Sequence, residues 1–228
     1  MILVLFDCDG TLVDSQNMIV EAMGRAFDLR GEARPARADI LSIVGLSLEH
    51  AIARLTGTPV NERVLALVDA YKASFHTLRA DPAYHEPLYP GARAAIEQLA
   101  EMDDVLLGVA TGKSQRGLRA VLELHGIERH FATLQTAEDA PSKPHPEMIY
   151  RAQRETGADK RDTVVIGDTT FDMEMAKNAN SHAIGVSWGY HSREYLAAAG
   201  AVRILNDFSE LVPALGSVFQ NHAAWKKD

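Results

Sequence analysis

A chain of 228 residues is long enough for one large domain, or for one domain with a smaller insert. Its formal net charge of −8 gives the surface no long-range attraction for nucleic-acid phosphates. A single cysteine excludes an internal disulfide, and no apolar run approaches the ~18 residues that a membrane span needs. We therefore predict a soluble, cytoplasmic protein that binds neither nucleic acid nor membrane.

Continuous apolar runs, typical of strands buried on both faces of a sheet, recur along the chain. They lie at residues 2–6, 105–110, 163–167 and 182–186, with weaker examples at 131–135 and 202–205. Helical patterns follow these runs or separate them, at residues 91–102, 114–125, 146–156, 171–179 and 193–199. This alternation predicts a parallel sheet with helices on both faces, a Rossmann-like, doubly wound α/β core.

Residues 15–86 interrupt the alternation, because they contain helical patterns but no long apolar run. The helical patterns lie at 18–29, 36–43, 48–55 and 61–78, separated by glycine or proline. We therefore predict an all-helical cap at 15–86, inserted into a catalytic core made of 1–14 and 87–228. The last residues, 225–228, are expected to be loose.

Polar side chains follow four of the predicted strands at their carboxyl ends, where ligands bind in open parallel sheets. Because these ends meet at one edge of the sheet, we expect the side chains to lie close together. The set comprises Asp7 and Asp9 after the first strand, Thr111 and Gly112 after the second, Lys143 after the third, and Asp168 and Asp172 after the fourth.

Several carboxylates at one edge would repel one another unless a hard cation lay between them. Mg²⁺ prefers oxygen ligands and binds through carboxylates together with a substrate phosphate, so Asp7 and Asp168 predict a Mg²⁺ site. Lys143 and Thr111 are suited to bind the phosphate. Asp7 could then attack phosphorus, while Asp9, which we expect to point elsewhere, delivers a proton to the leaving oxygen.

Four short motifs at these positions resemble those of the haloacid dehalogenase superfamily. They are D-x-D-G-T at 7–11, a threonine at 111, a lysine before proline at 143, and G-D-x-x-x-D at 167–172. The helical insert directly after the first motif resembles the C1-cap subgroup. Within that subgroup, the segments DGTLVDS, YPG and GVSWGYHSREYL are similar to those of phosphoglycolate phosphatases. The resemblance implies a hydrolase of phosphate esters.

The same resemblance implies roles for the acids. Asp7 corresponds to a nucleophile that forms an aspartyl-phosphate. Asp9 corresponds to the general acid and base, and its backbone carbonyl also binds Mg²⁺. Asp168 corresponds to a direct metal ligand, and Asp172 to an acid that acts on the metal mostly through water.

The resemblance also implies contacts to the phosphoryl group. Thr111 and Lys143 correspond to residues that hold it, and Gly112 lies beside them. The backbone amide of Gly10 or Thr11 is a further expected contact. Lys113 has two interpretations, a solvated lysine or a cation that supports the site, and the sequence leaves both open.

Substrate selection is expected to lie in the cap. Residues 45–50 separate two helical patterns at the place where relatives carry a specificity loop, so Glu49 and His50 are candidate substrate contacts. The motifs recognise a phosphoryl group and do not identify the rest of the substrate.

We therefore predict a Mg²⁺-dependent phosphomonoester hydrolase that acts on a small phosphorylated metabolite, with 2-phosphoglycolate as the first expectation. Inorganic pyrophosphate, sugar phosphates and nucleotides stay open as alternatives. A β-phosphoglucomutase is disfavoured, because mutases of this type carry a histidine on the first cap helix, where this chain has Met18 and Ile19. Asp7 and Asp168 argue against a non-catalytic binding protein. Both a monomer and a homodimer stay open.

Overall fold

The computed structural model describes residues 1–81, 83–220 and 222, so the tail at 225–228 lies outside the described residues. A six-stranded parallel sheet with the order β3-β2-β1-β4-β5-β6 forms the centre. The strands are β1 (Ile2–Phe6), β2 (Val105–Thr111), β3 (Phe131–Thr136), β4 (Thr163–Gly167), β5 (His182–Val186) and β6 (Arg203–Leu205). The predicted Rossmann-like α/β fold is confirmed, with every strand within one residue of its expected bounds.

Helices of the described chain lie on both faces of the sheet and in a segment inserted between β1 and β2. The inserted helices are α1 (Gln16–Leu29), α2 (Arg37–Leu41), α3 (Leu48–Thr56) and α4 (Glu62–Arg79). The others are α5 (Ala92–Ala100), α6 (Gln115–Leu124), α7 (Glu147–Thr156), α8 (Thr170–Asn178), α9 (Arg193–Ala199) and α10 (Leu211–Val218). Within the described ranges, none is both long enough and apolar enough to cross a bilayer.

The uninterrupted apolar sequence of β1 is explained by its burial on both faces of the sheet. Alternate residues of a strand point to opposite faces of the sheet. Ile2, Val4 and Phe6 accordingly pack into one core with residues of α5, α6 and α10. Leu3 and Leu5 pack into a second core with residues of α7 and α8. Burial on both faces fixes the position of β1, and therefore the position of Asp7, which follows its last residue.

The strand order places the carboxyl ends of β1, β2 and β4 side by side. β1 pairs with β2 on one side and with β4 on the other, so the order reverses at β1. Such reversal points open a crevice at the carboxyl edge of a sheet, where ligands bind. The polar residues expected at this edge are thereby brought to one place.

The inserted helices form their own apolar core, in which Met23 of α1 packs with Ile52 of α3 and Leu67 of α4. The chain leaves and re-enters the sheet through two adjacent segments, joined by an antiparallel bridge between Val13 and Leu88. We call α1–α4 and the loops between them the cap. The limits assigned from sequence, 15–86 for the cap and 1–14 with 87–228 for the core, stay a prediction.

Two of the differences between the helices and the sequence-based expectation have a clear structural reason. The predicted helix at 36–43 is shorter, Arg37–Leu41, because the chain turns toward Gly45, which has a φ of +101°. The helix α10 is not among the predicted elements. Pro213 and Gly216 weaken its pattern, yet Leu211 and Leu215 lie in the core and stabilise it.

The single thiol, Cys8, is fully buried in the core beside the strand. Burial, reinforced by nearby Asp9, raises its pKa well above the usual value. We expect the native protein not to react with a thiol reagent such as DTNB, and one thiol per chain to react in guanidinium. An exposed control, Leu65→Cys, should react at once. Fast labelling of Cys8 in the native wild type would contradict this burial.

Candidate active site

A bend after β1 separates the two acids of the first motif. The amide of Asp7 still donates to the carbonyl of Ile166 in β4 at 2.9 Å, but the chain then turns through Gly10 with a φ of +83°. Residues two apart on a continuing strand would share a face. The expected separation of Asp7 and Asp9 therefore arises from the bend and not from strand alternation.

Gly10 is required by the close approach of Asp168. A Cβ on Gly10 would lie 2.3 Å from the Oδ2 of Asp168. The amide of Gly10 donates to the carbonyl of Val13 at 2.9 Å, and that of Thr11 to the carbonyl of Cys8 at 3.4 Å. The turn occupies both amides, so the substrate contact predicted from them has no support in this geometry. The hydroxyl of Thr11 instead donates to Asp168 Oδ1 at 2.9 Å.

Three buried carboxylates meet at the ends of β1 and β4. Asp7, Asp168 and Asp172 each offer an oxygen, and these oxygens lie within 4.8 Å of one another. Asp168 is held in place by the hydroxyl of Thr11 and by the amide of Tyr190, which donates to Oδ2 at 2.9 Å. Of the four acids predicted at this edge from the sequence, Asp7, Asp168 and Asp172 are brought together, whereas Asp9 pairs with Lys113.

Lys143 is the cation of this cluster, and its side chain is also fully buried. Its Nζ lies 2.6 Å from Asp172 Oδ1 and 3.0 Å from Asp7 Oδ1. Burial lowers the pKa of Lys143, but the two acids outweigh it and hold the pKa above its usual value. The other oxygen of Asp172 accepts from the amide and the hydroxyl of Thr169 and thereby caps α8.

One ammonium does not balance three buried carboxylates. Burial raises the pKa of Asp7 to about 7, since Lys143 offsets it only in part and Asp172 adds to it. Burial and the neighbouring Asp7 also raise the pKa of Asp168. Within the described residues, Asp7 Oδ2 is buried without a hydrogen-bond partner. This all-oxygen donor set, with more carboxylate charge than Lys143 balances, fits a divalent metal ion.

Asp9 belongs to a second charged cluster. Its carboxylate accepts from the hydroxyl of Ser15 at 2.6 Å and from Lys113 Nζ at 2.7 and 3.0 Å. Lys113 Nζ also lies 3.1 Å from Glu86 Oε1, an ion-pair contact without hydrogen-bond geometry. Arg79 completes the cluster at 2.9 Å from Glu86 Oε2. Of the two interpretations of Lys113, the structure supports the cation at the site.

This second cluster joins the sheet to the cap. Asp9 and Lys113 come from the sheet edge, Glu86 from the connector, and Arg79 from the last turn of α4. Lys113 Nζ also lies 5.2 Å from the centre of the Phe75 ring in α4. Burial opposes the charge of Lys113, but Asp9 and Glu86 outweigh it and raise its pKa.

A cavity of about 450 Å³ lies between the cap and the sheet edge. Asp7, Asp9 and Thr111 line its floor, and Gly112 lies at one side. Glu49 and His50 also line it, and both are exposed. The cavity thus brings together several residues predicted to bind substrate, and their roles stay predictions.

Gly112 lies against the cap loop as well as beside the cavity. A Cβ on Gly112 would lie 2.4 Å from the carbonyl oxygen of Leu46. In the same loop, the amide of Ser47 donates to the hydroxyl of Ser142 at 2.9 Å. Gly112 therefore permits the cap to approach the sheet edge, a function that the sequence did not suggest.

Several residues of the site were not found by sequence reasoning. Glu86 and Ser15 lie in the connectors and are both buried; no motif marks Glu86, and Ser15 ends the segment DGTLVDS without an assigned role. A buried acid such as Glu86 requires a cation. Lys113, two residues after Thr111, suggested a cation at the site, but nothing in the sequence linked it to Glu86.

A family model described as haloacid dehalogenase-like hydrolase matches residues 4–186. The chain belongs to the haloacid dehalogenase-like hydrolases. The membership that the four motifs indicated is thereby confirmed.

Relatives in this hydrolase family include phosphatases. The probable phosphatase IndB of Dickeya dadantii (strain 3937) is 41% identical, over 93% of this chain and 92% of its own length. The pyrophosphatase PpaX of Bacillus mycoides (strain KBAB4) is 26% identical, over 94% and 97%. The crystal structure of a predicted phosphatase from Clostridium acetobutylicum superposes with a TM-score of 0.84 at 25% identity, covering 94% of this chain and 98% of that one. The chain is a hydrolase of phosphate esters.

The raised pKa of Asp7 makes the stability of the metal-free protein depend on pH. The ordinary aspartate pKa is 3.8 and the folded value is about 7, so the folded state holds an extra proton between these values. Stability therefore falls as pH rises through that window. In EDTA at pH 8, we expect Asp7→Asn to be more stable than wild type, by an amount on the order of a few kcal/mol.

Urea unfolding of both proteins at pH 5 and pH 8 measures this effect. The difference should shrink toward pH 5, where wild-type Asp7 is mostly protonated. A metal-free Asp7→Asn variant that is less stable than wild type at pH 8 would contradict the repulsion.

Removal of Lys113 should leave Asp9 as a buried charge without a cation. We expect Lys113→Met to destabilise the protein by about 3–5 kcal/mol. The double variant Asp9→Asn with Lys113→Met removes both charges and should cost less. The control Lys72→Met, on the exposed surface of α4, should change little. Equal effects of Lys113→Met and Lys72→Met in denaturant unfolding would refute the pairing.

Proposed function

We propose that the protein is a Mg²⁺-dependent phosphomonoester hydrolase that works through an aspartyl-phosphate on Asp7. The observation that carries this proposal is the state of the Asp7 carboxylate. Its Oδ1 is held by the Cys8 amide at 2.7 Å and by Lys143, whereas Oδ2 has no hydrogen-bond partner among the described residues. A carboxylate fixed through one oxygen presents the other as a nucleophile.

Asp7, Asp168 and Asp172 would hold the metal, together with the backbone carbonyl that the family resemblance assigns to Asp9. A bound Mg²⁺ would supply positive charge to the phosphoryl oxygens and relieve the repulsion among the carboxylates. The Mg²⁺ identity is part of the proposal, because the donor set alone indicates only a hard divalent ion.

The protein residues divide the remaining work. Asp7 Oδ2 attacks phosphorus, while Lys143 and the hydroxyl of Thr111 hold the phosphoryl oxygens. Asp9, positioned by Ser15 and Lys113, gives a proton to the leaving oxygen and later takes one from the water that hydrolyses the aspartyl-phosphate. The cap over the cavity limits the access of bulk water during the first step.

The substrate is proposed to be a small phosphorylated metabolite. The resemblance to phosphoglycolate phosphatases makes 2-phosphoglycolate the first compound to test, and the relative PpaX makes pyrophosphate the second. Sugar and nucleoside phosphates complete the set of candidates. A cytoplasmic location and the absence of nucleic-acid partners stay predictions, as does a monomeric or homodimeric state.

We expect Asp7→Asn to lower hydrolysis of p-nitrophenyl phosphate at least about 10³-fold, since it removes the nucleophile. Wild type should lose activity in EDTA and regain it with Mg²⁺. The matched control Asp14→Asn, which changes an acid outside the cluster, should stay active. Circular dichroism establishes that each variant is folded. Full activity of folded Asp7→Asn would end the covalent mechanism.

A further inference from the structure

The cavity has two walls of different chemistry. The sheet edge supplies the polar wall, with Asp7, Asp9, Thr111 and Lys113. The cap supplies an apolar wall from α1, α4 and the loop before α3. This wall comprises Ile19, Met23, Ile43, Val44, Val68, Tyr71 and Phe75.

The lysines and the arginine at and behind the polar wall are already paired with carboxylates. Lys113 pairs with Asp9 and Glu86, and Arg79 pairs with Glu86, so two cations face two acids. Lys143 is bound to Asp7 and Asp172. The interior cations next to the phosphoryl position therefore have no charge left for a second anionic group of a substrate.

Among the described lining residues, the lysine and arginine without a carboxylate partner are Lys72 and Arg116. Both are exposed, and so are the acids Glu49 and Glu138 of the same lining. An anionic group one or two bonds from the phosphoryl group would have to lie near a floor whose cations are already paired with carboxylates. Placing an extra charge there without a partner is costly.

The apolar wall suits an uncharged group of substantial size. The rings of Tyr71 and Phe75 lie side by side on α4 with centroids 5.6 Å apart, and both are half-buried. Met23 and Val68 are buried beside this cavity. A cavity of this volume lies within the range of about 300–1,000 Å³ used for small organic ligands. The nine heavy atoms of 2-phosphoglycolate leave much of it unfilled.

We propose that the preferred substrate is a phosphomonoester of an uncharged alcohol with a bulky apolar or aromatic part, which packs against the cap wall at Tyr71 and Phe75. This inference rests on the proposed phosphatase function and specifies its substrate class. It ranks 2-phosphoglycolate and pyrophosphate below uncharged, ring-bearing phosphate esters.

A matched pair of esters tests the substrate class. Benzyl phosphate and 2-phosphoglycolate share the same CH₂–O–P linkage and differ in carrying a phenyl ring or a carboxylate. We expect the kcat/KM for benzyl phosphate to exceed that for 2-phosphoglycolate by at least about tenfold. A ratio of one or less, with both esters hydrolysed, would overturn the substrate class and leave the phosphatase function intact.

A substitution on the wall locates the preference. Phe75→Ala should lower the ratio of the two kcat/KM values about threefold to tenfold, because an aromatic contact is lost. Leu65→Ala is the control on the same helix, since Leu65 is exposed and does not line the cavity. An unchanged ratio in a folded Phe75→Ala variant would contradict contact with this wall.

A binding measurement separates the two proposals. The unreactive analogues 2-phenylethylphosphonate and 3-phosphonopropionate can be compared by calorimetry on the Mg²⁺-loaded protein. Tighter binding of the phenyl compound supports the substrate class even if no ester is hydrolysed. The absence of hydrolysis would overturn only the hydrolase proposal. Equal or tighter binding of the carboxylate compound overturns the substrate class.

Discussion

Mutual repulsion among three buried carboxylates is the constraint on which the rest of the structure depends. Asp7, Asp168 and Asp172 are brought within 4.8 Å by the ends of β1 and β4, and the one ammonium of Lys143 cannot neutralise them all. Two apolar cores, one on each side of β1, hold the strand in place and offset this repulsion. The unbalanced charge is what makes the site receptive to a divalent ion and a phosphoryl group.

The second charged cluster gives the two acids of the first motif different surroundings. Asp7 lies among carboxylates, whereas Asp9 lies between a serine hydroxyl and the ammonium of Lys113. Because Glu86 and Arg79 extend this cluster into the connector and α4, the position of Asp9, the proposed proton-transfer residue, is coupled to the position of the cap. The ion pairs that hold Asp9 are thus the same ones that hold α4 of the cap against the sheet edge.

The strands and the acid cluster could be predicted from sequence because both have local signals. An uninterrupted apolar run such as 2–6 indicates a strand covered on both sides, and motif acids directly after such strands must share an edge. The Lys113–Glu86 contact had no such signal, since its members lie 27 residues apart and meet only when the cap folds back. The hydrogen bonds that the Gly10 and Thr11 amides make within the turn were not predicted, for a related reason. A sequence shows that a turn exists, but not which of its donors the turn itself uses.

The absence of a side chain at Gly112 has a consequence for how tightly the cap can seat. A single methyl group there would lie 2.4 Å from the carbonyl oxygen of Leu46, so any larger residue must hold the loop farther out. The size of residue 112 therefore sets the distance between the cap loop and the sheet edge. In a related enzyme, a larger residue at this position would move the cap loop outward. The cavity would then admit more water and hold a larger substrate.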